Sequence, residues 1–185
     1  MALELKKNQC ILVDGDPHVV LDVWTTGTAQ RKRTVHARIR SVKTHRVVER
    51  SFTDIERIEV RELETKNLQY LYQSGKTFSF MDQQSFETYE LPETLIGESQ
   101  WALKEGENYL VRYFEGLPVD IVVPPSVIMR VTGTAPPVKR SEGGNVRKEA
   151  TLEAGITVMV PQFISEGDLI KVDTRTREYI GKESE

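Results

Sequence analysis

The chain has 185 residues, 38% of them hydrophobic and 29% charged, with a formal net charge of −3; that is too apolar for a disordered chain and too interrupted by charge for a membrane-embedded one. No apolar run approaches the ~20 residues of a bilayer span, and Met1 to Lys7 lacks the apolar core of a signal peptide, so the expectation is a cytoplasmic globular protein with no membrane partner. A single cysteine, Cys10, excludes an internal disulfide, and beside Ile11, Leu12 and Val13 it reads as strand packing.

Short runs rich in Val, Ile, Thr, Tyr and Phe, punctuated by Gly, Asp and Pro, predict an all-β protein of small barrels. Cys10 to Val13 and Pro17 to Trp24 flank Asp14-Gly15-Asp16, where Asp-Gly supplies the positive φ angles of a tight hairpin. Thr34 to Arg40 alternates, with Val35, Ala37 and Ile39 on one face and His36, Arg38 and Arg40 on the other, so the second face should be solvated and cationic. The connection from Thr25 to Arg33 is small and flexible at first and then places Arg31, Lys32 and Arg33 on its returning arm, a basic hairpin tip. Val47 to Phe52 and Ile58 to Leu63 complete a first module, 1–62.

Leu68 to Tyr72, a turn at Ser74-Gly75-Lys76 and Thr77 to Met81 predict an aromatic-rich hairpin, followed by a strand over Phe86 to Leu91 and a short helical turn over Pro92 to Gly97. Tyr109 to Phe114, Glu115-Gly116 and Leu117 to Val123 give another hairpin, stopped by Pro124-Pro125, which cannot donate to a sheet ladder. This bounds a second module, 63–127. The third, 128–185, opens with a strand near Ile128 and a loop from Gly133 to Asn145, long enough to suggest a binding element. Strands at Thr151-Leu152, Ile156 to Pro161, Leu169 to Asp173 and Tyr179-Ile180 follow.

Charge is unevenly spread. Residues 1–50 hold 10 Lys/Arg against 5 Asp/Glu, residues 51–128 hold 6 against 14, and residues 129–185 hold 9 against 9. A basic first third suits phosphates, while an acidic middle third keeps the molecule soluble and oriented. The three histidines lack zinc spacing, and no nucleophile elbow, Walker or dinucleotide-binding glycine motif occurs, so no enzyme, metal or cofactor is expected. Asp14 and Asp16 bracket a turn glycine and read as turn chemistry. Trp24 and Trp101 read as packing residues in preference to stacking platforms for bases.

The run Lys148 to Gly155, then Val158 to Ile164, Gly167 to Thr174 and a closing Tyr179, strongly resembles the C-terminal signature of bacterial translation elongation factor P. The resemblance extends to the Asp14-Gly15-Asp16-Pro17 turn, Val35 to Ile39, Leu68 to Tyr72, Met81-Asp82 and the Val123-Pro124-Pro125 stop. It implies an SH3-like first domain and two OB-folds in an elongated L that mimics tRNA; independently, three small modules joined near Glu62 and Ile128 cannot make one spherical core, which predicts an elongated monomer. The resemblance also implies binding to the ribosome between the peptidyl and exit sites, with rRNA, ribosomal proteins and peptidyl-tRNA as partners, to rescue synthesis stalled on consecutive prolines. The family's hairpin tip carries a Lys or Arg, often extended after translation by a modifying enzyme, that reaches the peptidyl-transferase centre. Counting back from Ala37-Arg38, that position falls on Lys32, with Arg31 or Arg33 as alternatives, because the hairpin is longer than the commonest form and Gln30-Arg31-Lys32-Arg33 replaces Pro-Gly-Lys-Gly. Arg31, Arg33, His36, Arg38 and Arg40 become candidate contacts to tRNA or rRNA. Lys139, Arg140, Ser141 and Glu142 form the candidate RNA-facing loop of the third domain, where the family's Gly-Asp-Thr is replaced by Arg140-Ser141-Glu142. The alternative function is a general OB-fold binder of single-stranded nucleic acid, against which the acidic middle third argues.

Overall fold

The computed structural model describes residues 4–27, 34–53, 58–136 and 146–183. They form three five-stranded antiparallel sheets. The first contains β1 (Cys10–Val13), β2 (Asp16–Thr26), β3 (Thr34–Ser41), β4 (Val47–Phe52) and β5 (Glu59–Arg61), in the order β4-β3-β2-β1-β5. The second contains β6 (Glu64–Ser74), β7 (Thr77–Met81), β8 (Thr88–Pro92), β9 (Asn108–Phe114) and β10 (Leu117–Val122), in the order β10-β9-β6-β7-β8. Between β8 and β9 lie a short helix, α1 (Glu93–Ile96), and a 3-10 segment (Gly97–Ala102). The third sheet contains β11 (Ser126–Thr134), β12 (Arg147–Leu152), β13 (Thr157–Pro161), β14 (Leu169–Asp173) and β15 (Tyr179–Lys182), in the order β13-β12-β11-β14-β15.

Renumbered from its own first strand, each of the last two sheets has the same order, 3-2-1-4-5. The first strand makes this possible by serving two neighbours in succession. β6 pairs β9 through Glu64 to Gln69 and β7 through Gln69 to Ser74, with a bulge between Tyr70 and Tyr72. β11 pairs β14 through Ser126 to Arg130 and β12 from Val131 onward, with a bulge between Val131 and Gly133. A bulge bends the strand and increases its twist, which is how one strand leaves one partner for another and a sheet curls toward a barrel.

Turn chemistry sets several registers as the sequence predicts. Asp14 (φ 54) and Gly15 (φ 84) join Val13 to its partner Asp16, and Glu115 (φ 47) and Gly116 (φ 80) join Phe114 to Leu117. Both pairs have the doubled positive φ whose twist matches that of the flanking strands. Three elements differ from expectation. Phe86 is not in a strand: it has φ 59 and is exposed, because Asp82 Oδ1 accepts the amides of Gln84 and Ser85 and closes a turn ahead of it. β12 starts at Arg147, before the expected Thr151. The helical turn continues into the 3-10 segment, which carries Trp101 and Ala102 into the apolar core of the third sheet.

Two compact units gather these elements: residues 1–96 with 108–122, and residues 97–107 with 123–185. In the first unit, Ile11, Val13, Val20, Ala37, Ile39 and Phe52 fill the first sheet's core. A separate cluster of Cys10 and Val19 from the first sheet and Val42 from the turn after β3, with Phe114 and Val119 from the second sheet, joins the two sheets. Cys10 is therefore packing, as its sequence neighbours indicate, and burial pushes its thiol pKa up. In the second unit, Met129, Val131, Ala150, Leu152, Val158, Val160, Ile164, Ile170 and Val172 form the core with Trp101. Among the described residues no helix is long and apolar enough to cross a membrane.

Candidate nucleic-acid interface

The connection carrying Arg31, Lys32 and Arg33 leaves β2 after Thr26 and enters β3 at Thr34, which face each other as the last pair of the hairpin. Arg31, Lys32 and Arg33 lie outside the described residues, as do Lys139, Arg140, Ser141 and Glu142. What is described is the root from which each segment springs.

The hairpin root is built from one row across three strands. His36 pairs with Trp24 on β2 and Ser51 on β4. Its Nε2 lies 2.7 Å from Thr26 Oγ1 and its Nδ1 2.8 Å from Ser51 Oγ. A hydroxyl can donate or accept, so both ring nitrogens are satisfied whichever tautomer is present. Trp24 stacks on the imidazole, with centroids 5.7 Å apart and planes 12° from parallel. The residues just before the tip connection are thus fixed by side-chain contacts as well as by the ladder. Trp24 packs on one face and leaves 38% of its surface exposed.

The three candidates on this face of β3 have different surroundings. Arg38 is exposed, between Asp22 on β2 and Glu49 on β4 in the ladder. His36 is half-buried in the row above. Arg40 turns toward the second sheet, where Nη1 donates to the Thr94 carbonyl (3.1 Å) and Nη2 to the Val119 carbonyl (2.8 Å). Burial pushes its pKa down, with the charge of Asp120 opposing the shift. The expected solvated cationic face therefore holds for Arg38 alone. Strand alternation sorts residues by face but does not reveal that one end of that face abuts another sheet.

Sequence reasoning missed a second guanidinium at the same junction. Arg112 on β9 grips Asp120 on β10 with two parallel bonds, Nε to Oδ1 (2.6 Å) and Nη2 to Oδ2, and its Nη1 donates to the Asn8 carbonyl (2.7 Å). Its i,i+8 spacing to Asp120 across the Glu115-Gly116 turn was the available signal. The turn carboxylates are also ion-paired, Asp14 with Arg50 (2.7 Å) and Asp16 with Lys43 (2.5 Å). Those hydrogen bonds hold both carboxyls below the usual range. Also unforeseen is Lys66, whose ammonium bonds the Tyr89 hydroxyl (3.0 Å) and lies 4.7 and 5.3 Å from the Tyr89 and Tyr113 ring centroids. Among the described residues no group of three His, Cys, Asp or Glu side chains could hold a metal.

In the second unit, the segment containing Lys139 to Glu142 springs from a comparable root. Thr134 and Ala150 pair in the ladder, and Thr134 Oγ1 donates to the Glu149 carbonyl (2.7 Å). The ammonium of the buried Lys148 donates to the Ala135 carbonyl, so one cation closes the two ends of the segment together. The long loop and the hairpin tip, the two segments singled out from the sequence, both rest on ordered strands.

The comparisons with known proteins cover nearly the whole chain. The family model described as the elongation factor P (EF-P) KOW-like domain matches residues 2–58, the EF-P OB domain 63–121, and elongation factor P, C-terminal, 127–182. The chain is 40% identical over 182 residues to "Elongation factor P" of Thermodesulfovibrio yellowstonii, covering 98% of this chain and 97% of that protein. It is 36% identical to "Elongation factor P" of Kosmotoga olearia, covering 96% of each. The corresponding protein of Desulfovibrio desulfuricans is 34% identical, covering 97% of each.

Proposed function

The chain belongs to the elongation factor P family of translation elongation factors, and we propose that it binds the ribosome between the peptidyl and exit sites and promotes peptide-bond formation at stalled runs of proline. The observation that carries this reading is the succession of the three family models in order along the chain. On this reading the partners are rRNA, ribosomal proteins and peptidyl-tRNA in the cytoplasm, and Lys32 is the tip residue and candidate modification site. Arg31 and Arg33 flank it as phosphate contacts, the exposed Arg38 on β3 adds a further one, and Lys139 to Glu142 form the RNA-facing loop of the third domain.

The proposed mechanism needs no acid, base or metal from this chain. Proline reacts slowly because its ring restricts the geometry of attack, and a factor that holds peptidyl-tRNA in a productive pose lowers the barrier by orientation. An unbranched cation fits a narrow cavity lined by RNA, and phosphates or base edges recover the cost of shedding its water. The chemistry belongs to the ribosome. A tip that positions a substrate must itself be held, and the ladder and the His36 row at its root supply that support.

The test is a reconstituted translation reaction on a message encoding consecutive prolines. Addition of the protein should raise the rate past the stall and leave a message without prolines unaffected. Ribosomes carrying peptidyl-tRNA should retain it at salt concentrations that release it from free oligonucleotides. Equal retention on both would favour the single-stranded nucleic-acid binder instead.

A further inference from the structure

We propose that Arg40 is a positioning residue: its guanidinium anchors β3 to the second sheet and so sets the angle at which the Thr26–Thr34 end of the β2–β3 hairpin is presented. The proposal rests on the ribosomal reading above for its functional consequence, but not for its geometry. β3 has two ends with different duties. Its first residue, Thr34, receives the connection, and the strand pairs β2 and β4 along its length. Near its other end Arg40 leaves the sheet and spends two donors on carbonyls of two different elements, Thr94 on α1 and Val119 on β10. A guanidinium presents its donors in a rigid plane, so bonding two separate carbonyls fixes both distance and angle between the elements, which a single contact does not.

The neighbouring contacts agree with this role. Thr94 Oγ1 lies 3.4 Å from His45 Nδ1 in the loop after β3, so α1 meets both β3 and the loop that follows it. Val119 lies in the apolar cluster with Cys10, Val19 and Val42, and the Val119 carbonyl that Arg40 grips therefore belongs to a residue already seated between the sheets. Arg112 straps the sheets in the opposite direction, from β9 to the Asn8 carbonyl. With the Arg40 side chain committed to carbonyls of its own chain, a phosphate contact would require giving up two hydrogen bonds in a half-buried setting, where an unsatisfied carbonyl is costly.

Arg40→Gln and Arg40→Lys separate the possibilities, because Lys keeps the charge but cannot reproduce the two-pronged grip. In wild-type protein, backbone residual dipolar couplings from the first and second sheets should fit one alignment tensor; in Arg40→Gln each sheet should require its own. In the proline-stall reaction both variants should lower the rate at saturating factor at least about fivefold, with the half-saturating concentration within about twofold of wild type, as misplacement of a bound group predicts. A single tensor fitting Arg40→Gln would overturn the proposal whatever the ribosome assay gives. So would a raised half-saturating concentration that Lys restores, the mark of a phosphate contact. A wild-type protein that fails to relieve the stall would strike the ribosomal reading and leave the anchor to be decided by the tensors.

Discussion

At the scale of single residues, the same side-chain type has different work in different places. Three cations sit at or near the tip connection, and a solvent-exposed cluster would make them interchangeable; the proposed role does not. Lys32→Ala should leave fold and ribosome affinity nearly unchanged while abolishing relief of a proline-stall reporter. Arg31→Ala and Arg33→Ala should chiefly weaken binding, each reducing the slope of log affinity against log salt by about one unit or less. Full relief by Lys32→Ala, with relief lost in an arginine variant at undiminished occupancy, would move the tip to that arginine. A second residue-scale prediction concerns acid. Asp173 Oδ1 accepts the amides of Thr176 (2.9 Å) and Arg175 (2.8 Å), and these bonds lower its pKa. A carboxylate with a depressed folded-state pKa adds stability that is present above its unfolded value, about 3.9, and lost as pH falls through the folded value. Asp173→Asn keeps an acceptor for the turn but not the charge, so the urea midpoint of the variant should fall less steeply than wild type below about pH 4. Parallel acid limbs would show that the carboxylate charge contributes nothing there.

Among the elements, what was legible in the sequence was local. The Asp14-Gly15 and Glu115-Gly116 hairpins could be read because a two-residue turn with positive φ constrains residue type at that spot. The start of β12 is not legible because Lys148 interrupts an alternation that Ala150 and Leu152 continue; all three are buried, and the lysine donates to the Ala135 carbonyl. The 3-10 segment is not legible because six residues show no helical period, and Trp101 gains its place from a core distant in sequence. At the site, the candidate cations were legible as residue types, but the split between an exposed Arg38 and an anchored Arg40 was not, since it depends on which strand end meets the second sheet. Glycine gives a direct test of local conformation. Gly116 has φ +80 and Gly133 has no positive φ, and an added Cβ meets nothing within 4 Å at either position. Space being equal, only backbone conformation distinguishes them. Gly116→Ala should destabilise by about 1–2 kcal/mol, the cost of a left-handed L-residue. Gly133→Ala should stabilise by about 0.4–1 kcal/mol through the unfolded chain. Denaturant unfolding of the two variants measures both, and the same sign in both would refute the assignment of the effect to φ.

Over the whole molecule, net charge conceals a division of labour. The first third carries a basic excess and the middle third an acidic one, with 6 Lys/Arg against 14 Asp/Glu in residues 51–128. A chain that meets RNA must avoid presenting like charge to phosphate, because such juxtaposition costs affinity and slows encounter. On the proposed ribosomal reading, the acidic stretch should face solvent or basic ribosomal protein, leaving the basic excess to make phosphate contacts. Glu105 and Glu107 are suitable probes, both fully within that stretch, and neither is among the buried residues. Reversing both to Lys turns the formal net charge of −3 positive, which would strengthen nonspecific attraction to any RNA by counterion release. If the pair faces solvent or protein, binding to ribosomes carrying peptidyl-tRNA should stay close to wild type at physiological salt while retention on unrelated RNA rises, so that the ratio between the two falls. Photocrosslinkers placed at the same two positions give the independent reading: adducts with ribosomal protein or none agree with this division of charge, and adducts chiefly with rRNA would refute it.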